Sequence, residues 1–191
     1  MATSIATNII SGHWQAYYKY ARSGDPPEIA TGPTPGAGTY MGLIGNRGIR
    51  QITRYDREDI NTDLLGTTVI ESTYIGGQMF LEFELEEANN ALVKELSSPH
   101  SSTPGTPTEY EIGTPGNFDT ATSTGWLTLV ALAGTPAAVD AATAQRDYPM
   151  VALASGFDLE RMLGTRHRVI PVRLRVYPYL SGSDYVWFAE S

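Results

Sequence analysis

Few residues of this 191-residue chain have the types and spacing that chemistry requires. Its histidines are His13, His100 and His167, and none stands at metal-ligand spacing from another His, Asp or Glu on a common element. There is no cysteine, which excludes disulfides, thiolate nucleophiles and sulfur-rich metal sites. The segment GAGTYMG (36–42) is rich in glycine, but it lacks the lysine of a phosphate loop and no helical pattern follows it. LASGFD (153–158) lacks the Gly-x-Ser-x-Gly spacing of a nucleophile elbow. Asp56, Glu58 and Asp59 cluster carboxylates, yet acids at a polar connection are usually only solvated. These residues propose no reaction and no cofactor, and the expectation is a protein that is not an enzyme.

Charge is more informative than chemistry. In QMFLEFELE (78–86) a period of two puts Leu81, Phe83 and Leu85 on one face and Glu82, Glu84 and Glu86 on the other. Neighbouring carboxylates in that row are about 6.8 Å apart on one strand and repel. The last third of the chain is basic, with Arg161, Arg166, Arg168, Arg173 and Arg175. Such a layout allows two pairings. Arg173 and Arg175 can face Glu82 and Glu84 on one sheet, or the acidic and basic regions of separate copies can meet.

The elements that position these residues read as mainly β. HWQAYYKYA (13–21) has strand-like aromatics, with Trp14, Ala16, Tyr18 and Tyr20 on one side. IRQITRYD (49–56) reads as a strand and REDINTDLLG (57–66) as a polar connection. Gly76-Gly77 between TTVIESTYI (67–75) and QMFLEFELE gives a short-hairpin signal. Ala88, Ala91, Leu92 and Leu96 predict a short flanking helix over 87–96. WLTLVALAG (126–134) reads as a strand, 135–149 is Ala-rich and ambiguous, and DLERML (158–163) suggests a helical turn. RVIPVRLRVYPYL (168–180) alternates cleanly, its Pro171 and Pro178 suited to strand ends, and DYVWFAES (184–191) supplies a closing strand. The whole reads as one domain, 1–191, carrying a Pro/Gly-rich loop or arm at 22–40 and a Pro/Ser/Thr-rich insertion at 97–125 with a weak strand near TEYEIG.

The segment ITRYDREDINTDLLGTTVIESTYIGGQMFLEFELEE (52–87) resembles the tail tube (major tail) proteins of long-tailed bacteriophages. The likeness is an ordered series: a strand, a D-x-x-G-x-T turn at Asp63, Gly66 and Thr67 with its neighbours, a strand ending in Gly76, an acidic strand, then a helix. RVIPVRLRVYPYLSGSDYVWF (168–188) is similar to that family's Pro-containing strand and terminal hairpin. The resemblance implies an antiparallel β-sandwich or barrel with one helix and a long hairpin that joins an inter-subunit β-barrel. Six copies would form a ring and rings would stack into a tube through which DNA passes into the host cell. Glu82, Glu84 and Glu86 would then face the lumen, Leu81, Phe83 and Leu85 the core, and Arg166, Arg168, Arg173 and Arg175 would pair internally or between subunits. The implied partners are further copies and other tail proteins such as the tape measure, terminator and tail tip, with only transient passage of DNA. The implied location is the virion, assembled in the host cytoplasm. Tail terminator and head–tail connector rings have related folds and form the nearest alternative. A carbohydrate-binding β-sandwich is another, suggested by Trp14, Tyr17, Tyr18, Trp126, Tyr185 and Trp187 as aromatic faces for sugars.

Composition sets the outer bounds. A net charge of −8 opposes a surface that wraps nucleic acid, though not one that a polyanion slides past. No apolar run approaches the roughly 20 residues a membrane helix needs. The opening MATSIATNIISGHW lacks the basic and apolar regions of a signal peptide, so no export and no membrane partner are expected.

Overall fold

A computed structural model describes residues 13–20, 40–61, 69–88, 92–93, 96, 123–132, 145–159, 169–181, 184–187 and 189–190. They form strands β1 (Trp14–Lys19), β2 (Tyr40–Asn61), β3 (Val69–Ala88), β4 (Gly125–Ala131), β5 (Gln145–Leu153), β6 (Ile170–Val176), β7 (Tyr179–Ser181), β8 (Asp184–Val186) and β9 (Ala189–Glu190). Antiparallel pairing runs β1–β2–β3–β6–β5–β4 and returns to β1, closing a six-stranded barrel. β9 adds to β5, and β7 and β8 form a separate two-stranded sheet.

Period-two alternation fills the barrel. Leu81, Phe83 and Leu85 of β3 point inward beside Val172, Leu174 and Val176 of β6, and all six are buried. β1 supplies Trp14, Ala16 and Tyr18, and β4 supplies Leu127 and Leu129, to the same core. Pro171 sits one residue inside the start of β6, opposite Glu84, where a missing donor does least harm. The buried Thr128 hydroxyl is satisfied by donating to Asp147 Oδ1 at 2.6 Å.

The structure departs from the sequence reading at four places. Gly76-Gly77 is not a turn. β3 passes straight through it, with Gly77 paired to Tyr55 and Gly76 to Asp56. Glycine at 77 permits a close approach, since a Cβ there would stand 2.8 Å from the Trp187 indole and 2.9 Å from the Tyr74 hydroxyl. The hairpin is instead β2–β3, and its turn motif Asp63, Gly66 and Thr67 lies outside the described residues. Second, the supposed polar connection is strand as far as Asn61; its two polar faces mean exposure on both sides rather than lack of structure. Third, β3 runs on through Ala88 where a helix was expected from Glu87, because the β2 ladder continues to Gly42↔Ala88. Leu92, Val93 and Leu96 are helical and buried in the barrel core, while 89–91 and 94–95 lie outside the described residues. Fourth, the Ala-rich stretch leads into β5 at Gln145. Pro149 there escapes the ladder at a register shift between the Leu127↔Tyr148 and Gly125↔Val151 pairs.

The arm at 22–39, the insertion at 97–122, and residues 160–168, which include Arg161, Arg166, Arg168 and most of DLERML, lie outside the described residues.

Candidate functional site

β2 has 22 residues and β3 has 20, far more than the barrel uses. β1 pairs with β2 only over Tyr40–Ile44, and β6 pairs with β3 only over Met79–Leu85. Beyond these limits the two strands hold only each other, from the Arg54↔Gln78 pair to the Asn61↔Val69 pair. The result is a two-stranded ribbon extending about 25 Å past the barrel. Within the described residues, its two outer edges have no strand beside them.

Both faces of the ribbon are open. Tyr55 and Tyr74 are each 58% exposed, Ile75 is 63% exposed and Ile60 is 46% exposed. Ile75 is the unpaired residue of a bulge between the Gly76↔Asp56 and Tyr74↔Arg57 pairs, which turns its side chain out of the regular alternation. At the ribbon root the aromatics gather. Tyr55 lies 6.0 Å from Tyr74 and 5.9 Å from Trp187, ring centre to ring centre. Trp187 therefore braces the ribbon from the C-terminal segment.

The base of the ribbon carries the charged row. Glu82, Glu84 and Glu86 lie together on the outer face of β3, each half-buried. Glu82 faces Arg173 in the β3–β6 register, with Arg173 Nε 3.2 Å from Glu82 Oε1. That contact is one of charge, since Arg173 Nε is buried and makes no aligned hydrogen bond; its guanidinium also lies over the Phe80 ring at 4.9 Å. Arg50 Nη1 donates to Glu82 Oε2 at 3.2 Å from the other side. Arg47 Nη1 donates to Glu84 Oε1 at 2.8 Å. Glu86 packs against Gly45, whose Cβ would stand 3.0 Å from the Glu86 Cγ.

Arg47 reaches Glu84 through a local irregularity. Between Ile44↔Leu85 and Ile49↔Phe83 the four residues GNRG (45–48) bulge opposite Glu84 alone. Gly48 has φ 68°, the left-handed region that glycine enters without strain. The bulge opens a groove of about 410 Å³ whose charged lining is Arg47, Arg50, Arg173, Glu82 and Glu84.

Sequence reasoning named Arg173 as a partner of the glutamates, and the structure brings it to Glu82. Arg175 instead pairs with Phe80 in register and stacks on Tyr177 at 5.0 Å. Arg47 and Arg50 were missed, although IRQITR already places Arg50, Ile52 and Arg54 on one strand face. That pattern suits a partner strand rich in glutamate. Of the aromatics suggested as sugar platforms, Trp14, Tyr17 and Tyr18 are buried and Trp126 and Trp187 are half-buried. Of the histidines, His13 is exposed just before β1, and His100 and His167 lie outside the described residues. Among the described residues no three His, Asp or Glu side chains gather to hold a metal, and no helix is long and apolar enough to cross a membrane.

No protein-family model matches the chain, and no curated protein matches it in sequence.

Proposed function

We propose that this chain is a structural subunit that assembles through its ribbon into rings, in the manner of phage tail tube proteins. Copies set side by side would pair their ribbon edges into a continuous inner β-barrel, and stacked rings would form a channel for DNA in the virion. One observation carries this reading. Two long strands leave a closed barrel as a ribbon whose edges, among the described residues, have no strand beside them and which exposes tyrosines and isoleucines. An isolated two-stranded ribbon is marginal in water, and open edges invite association, so a persistent one makes sense as half of an interface. Burying each of those apolar side chains contributes on the order of 1.5–3 kcal/mol, before the cost of ordering.

The glutamate row takes a different place in this reading from an acidic lumen lining. Arg50, Arg173 and Arg47 already neutralise Glu82 and Glu84, so the row first holds the outer face of β2, β3 and β6 together. The net charge of −8 for the whole chain still suits a channel past which a polyanion must slide.

Negative-stain electron microscopy of the purified protein, dilute and then concentrated, tests the proposal. Stacked rings or tubes with a central channel are expected. Closed rings that never stack would move the assignment to a terminator or connector ring. Particles that stay monomeric at high concentration would contradict the assembly reading.

A further inference from the structure

Exposed arginine donors at the ribbon base and exposed carboxylates at its tip stand at positions that cannot meet within one molecule. At the ribbon base the groove is lined by three arginines, Arg47, Arg50 and Arg173, against Glu82 and Glu84, with Glu86 beside them on the same face of β3. The Arg47 and Arg50 side chains are 82% and 75% exposed. Each commits one Nη to a glutamate and turns its remaining donors to solvent. Towards the ribbon tip the balance is acidic. Arg54 is held by Asp56 at 2.9 Å, leaving the carboxylates of Glu58, Asp59 and Glu71 against Arg57 alone among the described residues, an excess of two negative charges there. Asp59 accepts a hydrogen bond from the Ser72 hydroxyl at 2.6 Å, whereas Glu58 and Glu71 are exposed.

Arg50 and Glu58 are joined by one continuous strand, which keeps them about 26 Å apart. That exceeds the roughly 8 Å screening length at physiological salt several-fold. The tip can therefore reach the exposed guanidinium donors of Arg47 and Arg50 only if it belongs to another molecule. A guanidinium with free donors in an open groove is well suited to a carboxylate.

We propose that Glu58 and Glu71 at the ribbon tip of one copy dock on Arg47 and Arg50 at the ribbon base of a second copy. The contact rests on the assembly reading above and deepens it: the open edges join copies side by side within a ring, and this charge pair joins the ribbon tips of one ring to the ribbon bases of the ring stacked on it.

Charge reversal in trans tests it by sedimentation velocity. The Glu58→Lys/Glu71→Lys chain and the Arg47→Glu/Arg50→Glu chain should each associate at least about tenfold more weakly than wild type, because like charges then meet. Mixed in equal amounts, the two should recover association, since each tip again faces an opposite base. Wild-type association should also weaken as salt rises from roughly 50 to 500 mM. Thermal melts check that each variant is folded. If the base-reversed chain melts early, Arg47→Gln/Arg50→Gln replaces it; Glu82 and Glu84 then leave the base negative, so it should still rescue the lysine tip. If wild type associates and the reversed chains do so equally well, the tip-to-base contact is wrong while the assembly reading stands. Failure of the folded mixture to recover would also overturn the contact. Wild type that never associates overturns both.

Discussion

Glu82 and Arg173 face each other across the β3–β6 ladder at 3.2 Å, and Arg50 approaches the same carboxylate from β2. One side chain thus ties three strands of the barrel wall at the root of the ribbon. Exposed pairs contribute little, but Glu82 is 29% exposed and holds two cations. Glu82→Gln should cost about 1 kcal/mol and lower the melting temperature by about 2–4 °C. Glu86→Gln, without a cation among the described residues, should fall within about 0.5 kcal/mol of wild type. Urea denaturation of both variants measures the difference.

Three glycines should respond to alanine in a set order. A Cβ at Gly76 meets nothing within 4 Å, so Gly76→Ala should be close to neutral. At Gly77 it presses on the far edge of the half-buried Trp187, which can shift, at a cost of about 1 kcal/mol. At Gly125 it overlaps the phenol of Tyr18, a core residue with no room to move, and the cost should be about 3 kcal/mol. Melting temperatures rank the three, and tryptophan fluorescence should shift to the red in Gly77→Ala as the indole is displaced.

Burial of Tyr17 raises its phenol pKa above the ordinary 10.0. The neutral form is the one the fold favours, so this contribution is complete below pH 10.0 and is lost as pH climbs through the raised folded value. Urea midpoints should fall at alkaline pH, and Tyr17→Phe should fall less steeply than wild type. Equal slopes would show that the phenol does not couple to folding.

The ribbon's exposed apolar residues should matter to association and hardly at all to folding. Tyr74→Lys and Ile75→Lys change side chains that are 58% and 63% exposed, so each should melt within a few degrees of wild type. Both should reduce ring formation at least about tenfold, read by sedimentation velocity. A variant that assembles normally would place the interface elsewhere.

Much of the barrel was legible because its strands alternate. In β3 and β6 the inward Leu81, Phe83, Leu85, Val172, Leu174 and Val176 follow the period of two that a half-buried strand imposes. The ribbon was less legible for the same reason. REDIN is polar on both faces, which is how a loop also reads, and nothing local separates an exposed strand from a connection, whereas the β-branched TTVIESTYI already reads as a strand. Gly76-Gly77 misled because a glycine that permits the close approach of Trp187 looks the same in sequence as one needed for a turn. Trp187 lies 110 residues further along the chain, so only the fold could reveal it. Arg47 was hidden by the GNRG bulge, where four residues oppose one and alternation breaks down.

Hydrogen–deuterium exchange, read peptide by peptide in dilute and concentrated protein, tests the central claim most directly. In the monomer the outward amides of 54–61 and 69–77 have no strand beside them among the described residues, so they should exchange quickly while the barrel strands are protected. If ribbon edges form the interface, concentration should slow exchange at these two segments and leave β4 and β6 unchanged. Assembly with the ribbon amides still fast, or no change at any concentration, would contradict the account.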